Sequence, residues 1–171
     1  MKKYEFTGET KEIRLLFRTA TLHRIRATVA FGIVEVGDLG GWIEKEENLS
    51  HEGKAWVWGN AEVCGDAKVC GDAEVWGNAK VCGDAKVFSA SHVLVIGAIG
   101  SRNDFTTFYR DKDNEITVKC GCFLGKIDRF LEKVTQTHGD SKYALVYRAA
   151  VEVAKLQIDL SGEAPKDADE E

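Results

Sequence analysis

The chain reads as a mainly β protein built on a short, three-sided parallel β-helix. The first observation is a six-residue period. From residue 53 the sequence runs GKAWVW GNAEVC GDAKVC GDAEVW GNAKVC GDAKVF, with Gly at position 1, Ala at position 3 and Val at position 5 of six consecutive hexads. The second is a period of eighteen: Trp58 and Trp76, Asn60 and Asn78, Cys64 and Cys82, Asp66 and Asp84 recur three hexads apart. The third is 17 glycines beside one proline in 171 residues. A glycine every sixth residue would cost a helix about 1 kcal/mol each time. Strands fit better: Ala and Val, two apart, share one face, and the Glu or Lys between them points away. Gly followed by Asn or Asp is turn chemistry. Residues eighteen apart then stack at the inter-strand spacing of about 4.8 Å. This pairs Glu62 with Lys80 and sets the like charges Lys68 and Lys86 side by side.

The period extends on paper in both directions. Position 5 continues as Val93, Ile99 and Phe105, and position 3 runs back through Leu49 and Ile43. That places the β-helix over 41–105, with Val57, Val63, Val69, Val75, Val81 and Val87 as its interior. A repeat array needs capped ends. Residues 1–40 predict an N-terminal β cap. Its hairpin turns near Thr19-Ala20-Thr21 and carries Arg14, Arg18, Arg24 and Arg26 on one face. Residues 106–160 predict a C-terminal cap. The hairpin of FTTFYR and EITVKC turns at 111–114, and two helices follow. Ile127, Phe130, Leu131 and Val134 form the stripe of the first helix. Val146, Ala150 and Val153 form that of the second, about Lys142 to Gln157, capped by Asp140 or Ser141. The acidic end, 161–171, reads as disordered.

The hexads resemble the hexapeptide-repeat, left-handed parallel β-helix family. The aliphatic residue at position 5 and the small residue two before it carry the likeness over about 65 residues. The resemblance, not the periodicity, implies left-handedness, and it implies a trimer. The Trp, Cys or Phe after each Val departs from the family, which often has a small or acidic residue there. The entry segment GDLGGWIEKEENLS and the segment CGCFLGKIDRFLEKVTQTHGD are similar to those of uncharacterised bacterial and prophage hexapeptide proteins. That resemblance implies a phage-encoded inhibitor of host defence.

Composition narrows the classes of function. A net charge of -5 argues against a general nucleic-acid binder. The opening MKKYEFTGETKEIR lacks the apolar core of a signal peptide, and no apolar run approaches the ~18 residues of a membrane helix. Five cysteines follow the repeat, not a disulfide framework, so reduced thiols and a cytoplasmic setting are expected.

Four chemistries have candidates. The family resemblance implies CoA-dependent acyl transfer with a histidine base. Among His23, His51, His92 and His138, His92 is the best placed, with Glu74 one rung below to orient it. The other reading of His92 is an exposed histidine on a solvated face. Cys120-Gly-Cys122 and the stacked Cys64 and Cys82 are close thiol pairs, but four zinc ligands are not in place, so no metal or cofactor is expected. Trp56, Trp58, Trp76, Phe88 and Leu94 form outward apolar ladders that want burial, against the flanking helices or against a second or third copy. The arginine face, with Arg110, suits a phosphate-bearing ligand, and Trp42, Phe108 or Tyr109 would stack a base. Carboxylates within the chain are the other partners for that face. Arg102, Lys119 and Lys126 of the C-terminal cap are further cations. With no catalytic signature, the expected function is a non-enzymatic homo-oligomeric binding protein for a nucleotide-type anion or a host protein. Acyltransferase and structural scaffold are the alternatives.

Overall fold

A computed structural model describes residues 1–161. Strands β1 (Tyr4–Arg14) and β2 (Thr19–Ala27) pair antiparallel, and Leu15 N–H donates to the Arg18 carbonyl at the tip. The turn thus lies at 15–18, ahead of the expected Thr19-Ala20-Thr21. Strand β3 (Leu39–Ile43) adds antiparallel to β2. Six two-residue strands follow: β4 (Trp56–Val57), β5 (Glu62–Val63), β6 (Lys68–Val69), β7 (Glu74–Val75), β8 (Lys80–Val81) and β9 (Lys86–Val87). They pair in parallel, β4 with β7, β5 with β8 and β6 with β9, eighteen residues apart. Strand β3 also pairs parallel to β5, giving a mixed five-stranded sheet ordered β1-β2-β3-β5-β8. Strands β10 (Val93–Ile99), β11 (Asp104–Arg110), β12 (Ile116–Cys120) and β13 (Phe123–Lys126) form an antiparallel meander. Helices α1 (Ile127–His138) and α2 (Lys142–Gln157) follow the meander. The acidic end expected to be disordered lies, from residue 162, outside the described residues.

The expected fold class, a short three-sided left-handed parallel β-helix, is corrected. Among the described residues the protein is mainly β with several small sheets, antiparallel and mixed, and two helices, and shows no regular parallel solenoid. Parallel pairing is confined to dipeptides, and two of those sheets have only two strands. The six-residue period also stops short of 41–105. Upstream, Ile43 pairs with Val63 and Leu49 with Val69, twenty residues apart, so both match position 5 and not position 3. A 3-10 turn at Glu46–Asn48 separates these two residues. Downstream, Val93 and Ile99 lie in one antiparallel strand and Phe105 lies in its partner. The run VLVIGAI has no Gly-Asn or Gly-Asp corner, so it stays extended.

Within the hexads the corners are as the composition demands. Gly53, Gly59, Gly65, Gly71, Gly77 and Gly83 have φ of +55° to +67°, a region that costs any residue with a Cβ. At Gly53 a Cβ would also lie 2.5 Å from the Gly71 carbonyl oxygen. The six position-5 valines are fully buried and pack with the position-3 alanines in one core.

The β10–β13 meander separates this core from a second one. Val93, Val95 and Tyr109 face the hexads, while Leu94, Ile96 and Phe108 face the helices. The alternation is the two-residue period of a strand with both faces covered. On α1, Ile127, Phe130 and Val134 are buried, with Leu131 packed against them. On α2 the expected stripe is corrected. Ala144, Tyr147, Ala150, Val151 and Ala154 are buried, and Val146 and Val153 are exposed. Small residues let α2 lie close to the sheet and α1, and the bulkier valines fall on the outer side. Among the described residues no helix is long and apolar enough to cross a membrane.

Short parallel pairs leave many backbone groups at their edges, and each needs a partner. Along the hexads, an N–H of one strand donates to the alanine carbonyl seventeen residues on, as Trp56 does to Ala73 and Glu62 to Ala79. The first three alanine carbonyls have no earlier hexad to supply that donor. Trp42 N–H serves Ala61, the Asn48 side-chain amide serves Ala67 at 2.9 Å, and the Lys3 ammonium serves Ala55 at 2.8 Å. At the other end the Thr107 hydroxyl accepts from Lys80 N–H, the Tyr109 hydroxyl donates to the Cys82 carbonyl, and His92 Nδ1 accepts from Phe88 N–H.

Asn48 is fully buried, and it bonds Gly65 and Ala67 carbonyls and Lys45 N–H. Each buried group left without a partner costs about 1–3 kcal/mol. Asn48→Ala is therefore expected to lower unfolding stability by about 3 kcal/mol in urea titration. Glu5→Ala, which breaks only the exposed pair with Arg26, costs under about 1 kcal/mol.

Candidate functional site

Three of the four arginines of the predicted face meet carboxylates within the chain. Arg26 bonds Glu5, its direct cross-strand neighbour. Arg18 makes a two-point contact with Glu44 at 2.5 and 2.9 Å, which holds that carboxylate below its ordinary range. Arg24 lies 3.9 Å from Glu9 and over the Trp42 ring. Lys11 covers the same ring and pairs with Glu62 at 2.7 Å. Arg14 is exposed near the hairpin tip. Tyr109 and Phe108 are fully buried, so neither offers a face to a base. Arg110 is buried beside His92.

The predicted histidine–carboxylate pair is not assembled. His92 sits in a 3-10 turn at Ala90–His92, mostly buried; the expected solvated position is corrected. Its Nδ1 accepts from Phe88 N–H and its Nε2 lies 3.1 Å from Arg110 Nη1. Both ring nitrogens are thus engaged by structural neighbours. Glu74 instead accepts from Trp76 Nε1 at 3.0 Å.

The apolar ladders divide. Trp56 does not face outward: it is fully buried against Tyr4 and Phe31, because the hairpin and the loop before β3 fold over it. Leu94 packs into the helical core. Cys64 and Cys82 stack with sulfurs 2.7 Å apart beneath Leu22, Ile13, Leu15 and Trp42. Phe88 is half-buried, edge-on to His92. Trp58 and Trp76 do form an outer ladder, stacked 4.6 Å apart at 9°, and Trp76 remains 47% exposed.

Two concave regions stand out. One, of about 300 Å³, is lined by Glu46, Glu47, His51, Lys68 and Cys70. Burial pushes the Cys70 thiol up to about 11 and lowers His51, so this histidine and thiol make no ready thiolate–imidazolium pair. The other, of about 160 Å³, opens between the end of the meander and the two helices. Its floor is aromatic: Phe130 lies between Phe123 at 5.3 Å and Tyr147 at 5.7 Å. Arg102 and Lys133 line it and no carboxylate does. Burial first, and Cys120 second, raise the pKa of the Tyr147 hydroxyl, while its contacts with Ser101 pull it down. A Cβ on Gly100 would fall on that hydroxyl, and Gly100 has φ +75°. Glycine there makes room for the phenol.

Sequence reasoning named Arg102 only as a cation of unknown direction and missed the cavity. Its lining comes from 101–102, 120–123, 130–138 and 147, a set with no period. The visible signals were the CGC turn and the glycine before Ser-Arg. No protein-family model matches the chain, and no curated protein matches it.

Burial first, and Arg110 second, push the His92 imidazole below its ordinary 6.5. The unfolded chain therefore binds this proton more readily than the native one. Stability contributed by neutral His92 is full above about pH 7 and is lost as pH falls through 6.5. Urea titrations from pH 7.5 to 5.5 are expected to show that decline, and His92→Gln to reduce it.

Proposed function

We propose that the protein is a non-enzymatic binding protein that works as a homo-oligomer in the cytoplasm. The observation that carries this reading is the outer side of α2. Val146, Ala149, Val153 and Leu156 are exposed at 3-4-3 spacing, with Leu145 beside them. Leu156 is 89% exposed and Leu145 60%. A helix apolar on both sides is one that is covered on both sides, and 3-4-3 spacing is the seam by which one helix packs on another. The stacked Trp58 and Trp76 add a second apolar surface. A second copy of the chain supplies a matching helix through a self-complementary contact.

The engagement of both His92 ring nitrogens by structural neighbours favours binding over acyl transfer. The resemblance to prophage proteins supplies the setting, an inhibitor that captures a host-defence signal or host protein.

Native mass spectrometry and light scattering test the assembly. The expected mass is a multiple of the 18.9 kDa chain. The pair Val153→Glu and Leu156→Glu, whose side chains lie outside both cores, is expected to give a folded monomer. A wild-type monomer at micromolar concentration sinks this reading.

A further inference from the structure

We infer that the cavity between the β12–β13 turn and the two helices binds a single-ring aromatic anion, with the ring inside and the carboxylate or phosphate at the mouth. This rests on the reading of the chain as a binding protein and names the class of its ligand.

Size sets the ring count. A cavity of about 150 Å³ lined by apolar side chains takes one benzene ring, and this one measures about 160 Å³. Chemistry sets the kind of ring. Phe123, Phe130 and Tyr147 present faces and edges at 5.3 and 5.7 Å from one another, the separations at which aromatic rings attract. His138 lies 5.7 Å from Tyr147 and extends the same wall. The Tyr147 hydroxyl and Cys120 place a small polar group at this wall.

Charge sets the substituent. Arg102 and Lys133 stand on the lining, and among the described residues neither is paired with a carboxylate, unlike Arg18, Arg24 and Arg26 on the N-terminal hairpin. In a chain with 28 acidic and 23 basic residues, a cavity lined by two cations and no acid is a local reversal of the overall field. A guanidinium is suited to a two-point contact with phosphate or carboxylate. Arg102 is also positioned by the turn, its Nη1 lying against Gly121, where a side chain would displace it.

Calorimetry with phenyl phosphate, benzoate, uridine monophosphate, adenosine monophosphate and neutral benzyl alcohol tests the inference. The expected result is binding of phenyl phosphate or benzoate at least tenfold tighter than benzyl alcohol. Uridine monophosphate binding as well identifies a nucleotide source, and its failure a simple aryl acid. Adenosine monophosphate is expected to bind at least tenfold more weakly than the single-ring anions. Arg102→Gln with Lys133→Gln is expected to weaken the anions tenfold or more and leave benzyl alcohol unchanged. A second readout needs no variant: the ligand is expected to slow alkylation of exposed Cys122 at the rim. No binding of any single-ring anion at millimolar concentration overturns the inference, as does affinity indifferent to charge or to Arg102 and Lys133. Native mass is read in the same samples. An intact oligomer without ligand therefore defeats the cavity alone, and a monomer that binds ligand defeats the assembly alone.

Discussion

The structure depends on satisfying the edges of very short parallel strands. A two-residue strand makes few backbone bonds, and its neighbours eighteen residues away satisfy one side only. The remaining carbonyls and amides sit against a dry core of valine and alanine. There, an unpartnered group costs about 1–3 kcal/mol, while an exposed ion pair contributes about 0–1. The groups that close the edges therefore outweigh the more numerous surface ion pairs. Lys3 reaches from the start of the chain to Ala55, Asn48 from a 3-10 turn to Ala67, and Thr107 and Tyr109 from the meander to the opposite end. The N-terminal hairpin and the C-terminal meander are parts of the hexad structure, not attachments to it.

The same constraint positions the candidate sites. Closing the hexads requires one face of the meander, so its other face must be covered by helices. Covering it with α1 and α2 creates the cavity at their junction with the β12–β13 turn. Packing α2 closely requires alanines on its inner side, which moves its larger apolar residues outward. The exposed apolar side of α2 and the cavity thus share one origin.

Much of this was legible in the chain. The hexad glycines, the valine and alanine core, the charge pairs Glu62–Lys80 and Lys68–Lys86, the second hairpin, the α1 stripe and the α2 span follow from spacing and turn chemistry alone. Extension of the period did not follow. Leu49 and Ile43 keep the chemistry of the repeat but not its register, since the 3-10 turn at Glu46–Asn48 breaks the six-residue count. Val93 and Ile99 have suitable side chains but no corner residues between them. Trp56 and His92 were read as outward because hexad parity ignores the segments that fold over them. The α2 stripe was misread because valine was weighted over alanine, whereas close packing selects the smaller residue. The cavity was invisible because tertiary folding gathers its lining from separate stretches.

Native-state hydrogen exchange tests the central claim most directly. If the edge groups hold the hexads, the amides of Trp56, Glu62 and Lys68 share one opening free energy with those of β2, β3 and β11. Opening of either flanking sheet would then release hexad amides at the same rate. Hexad amides that stay protected while the hairpin or the meander exchanges freely would contradict the account.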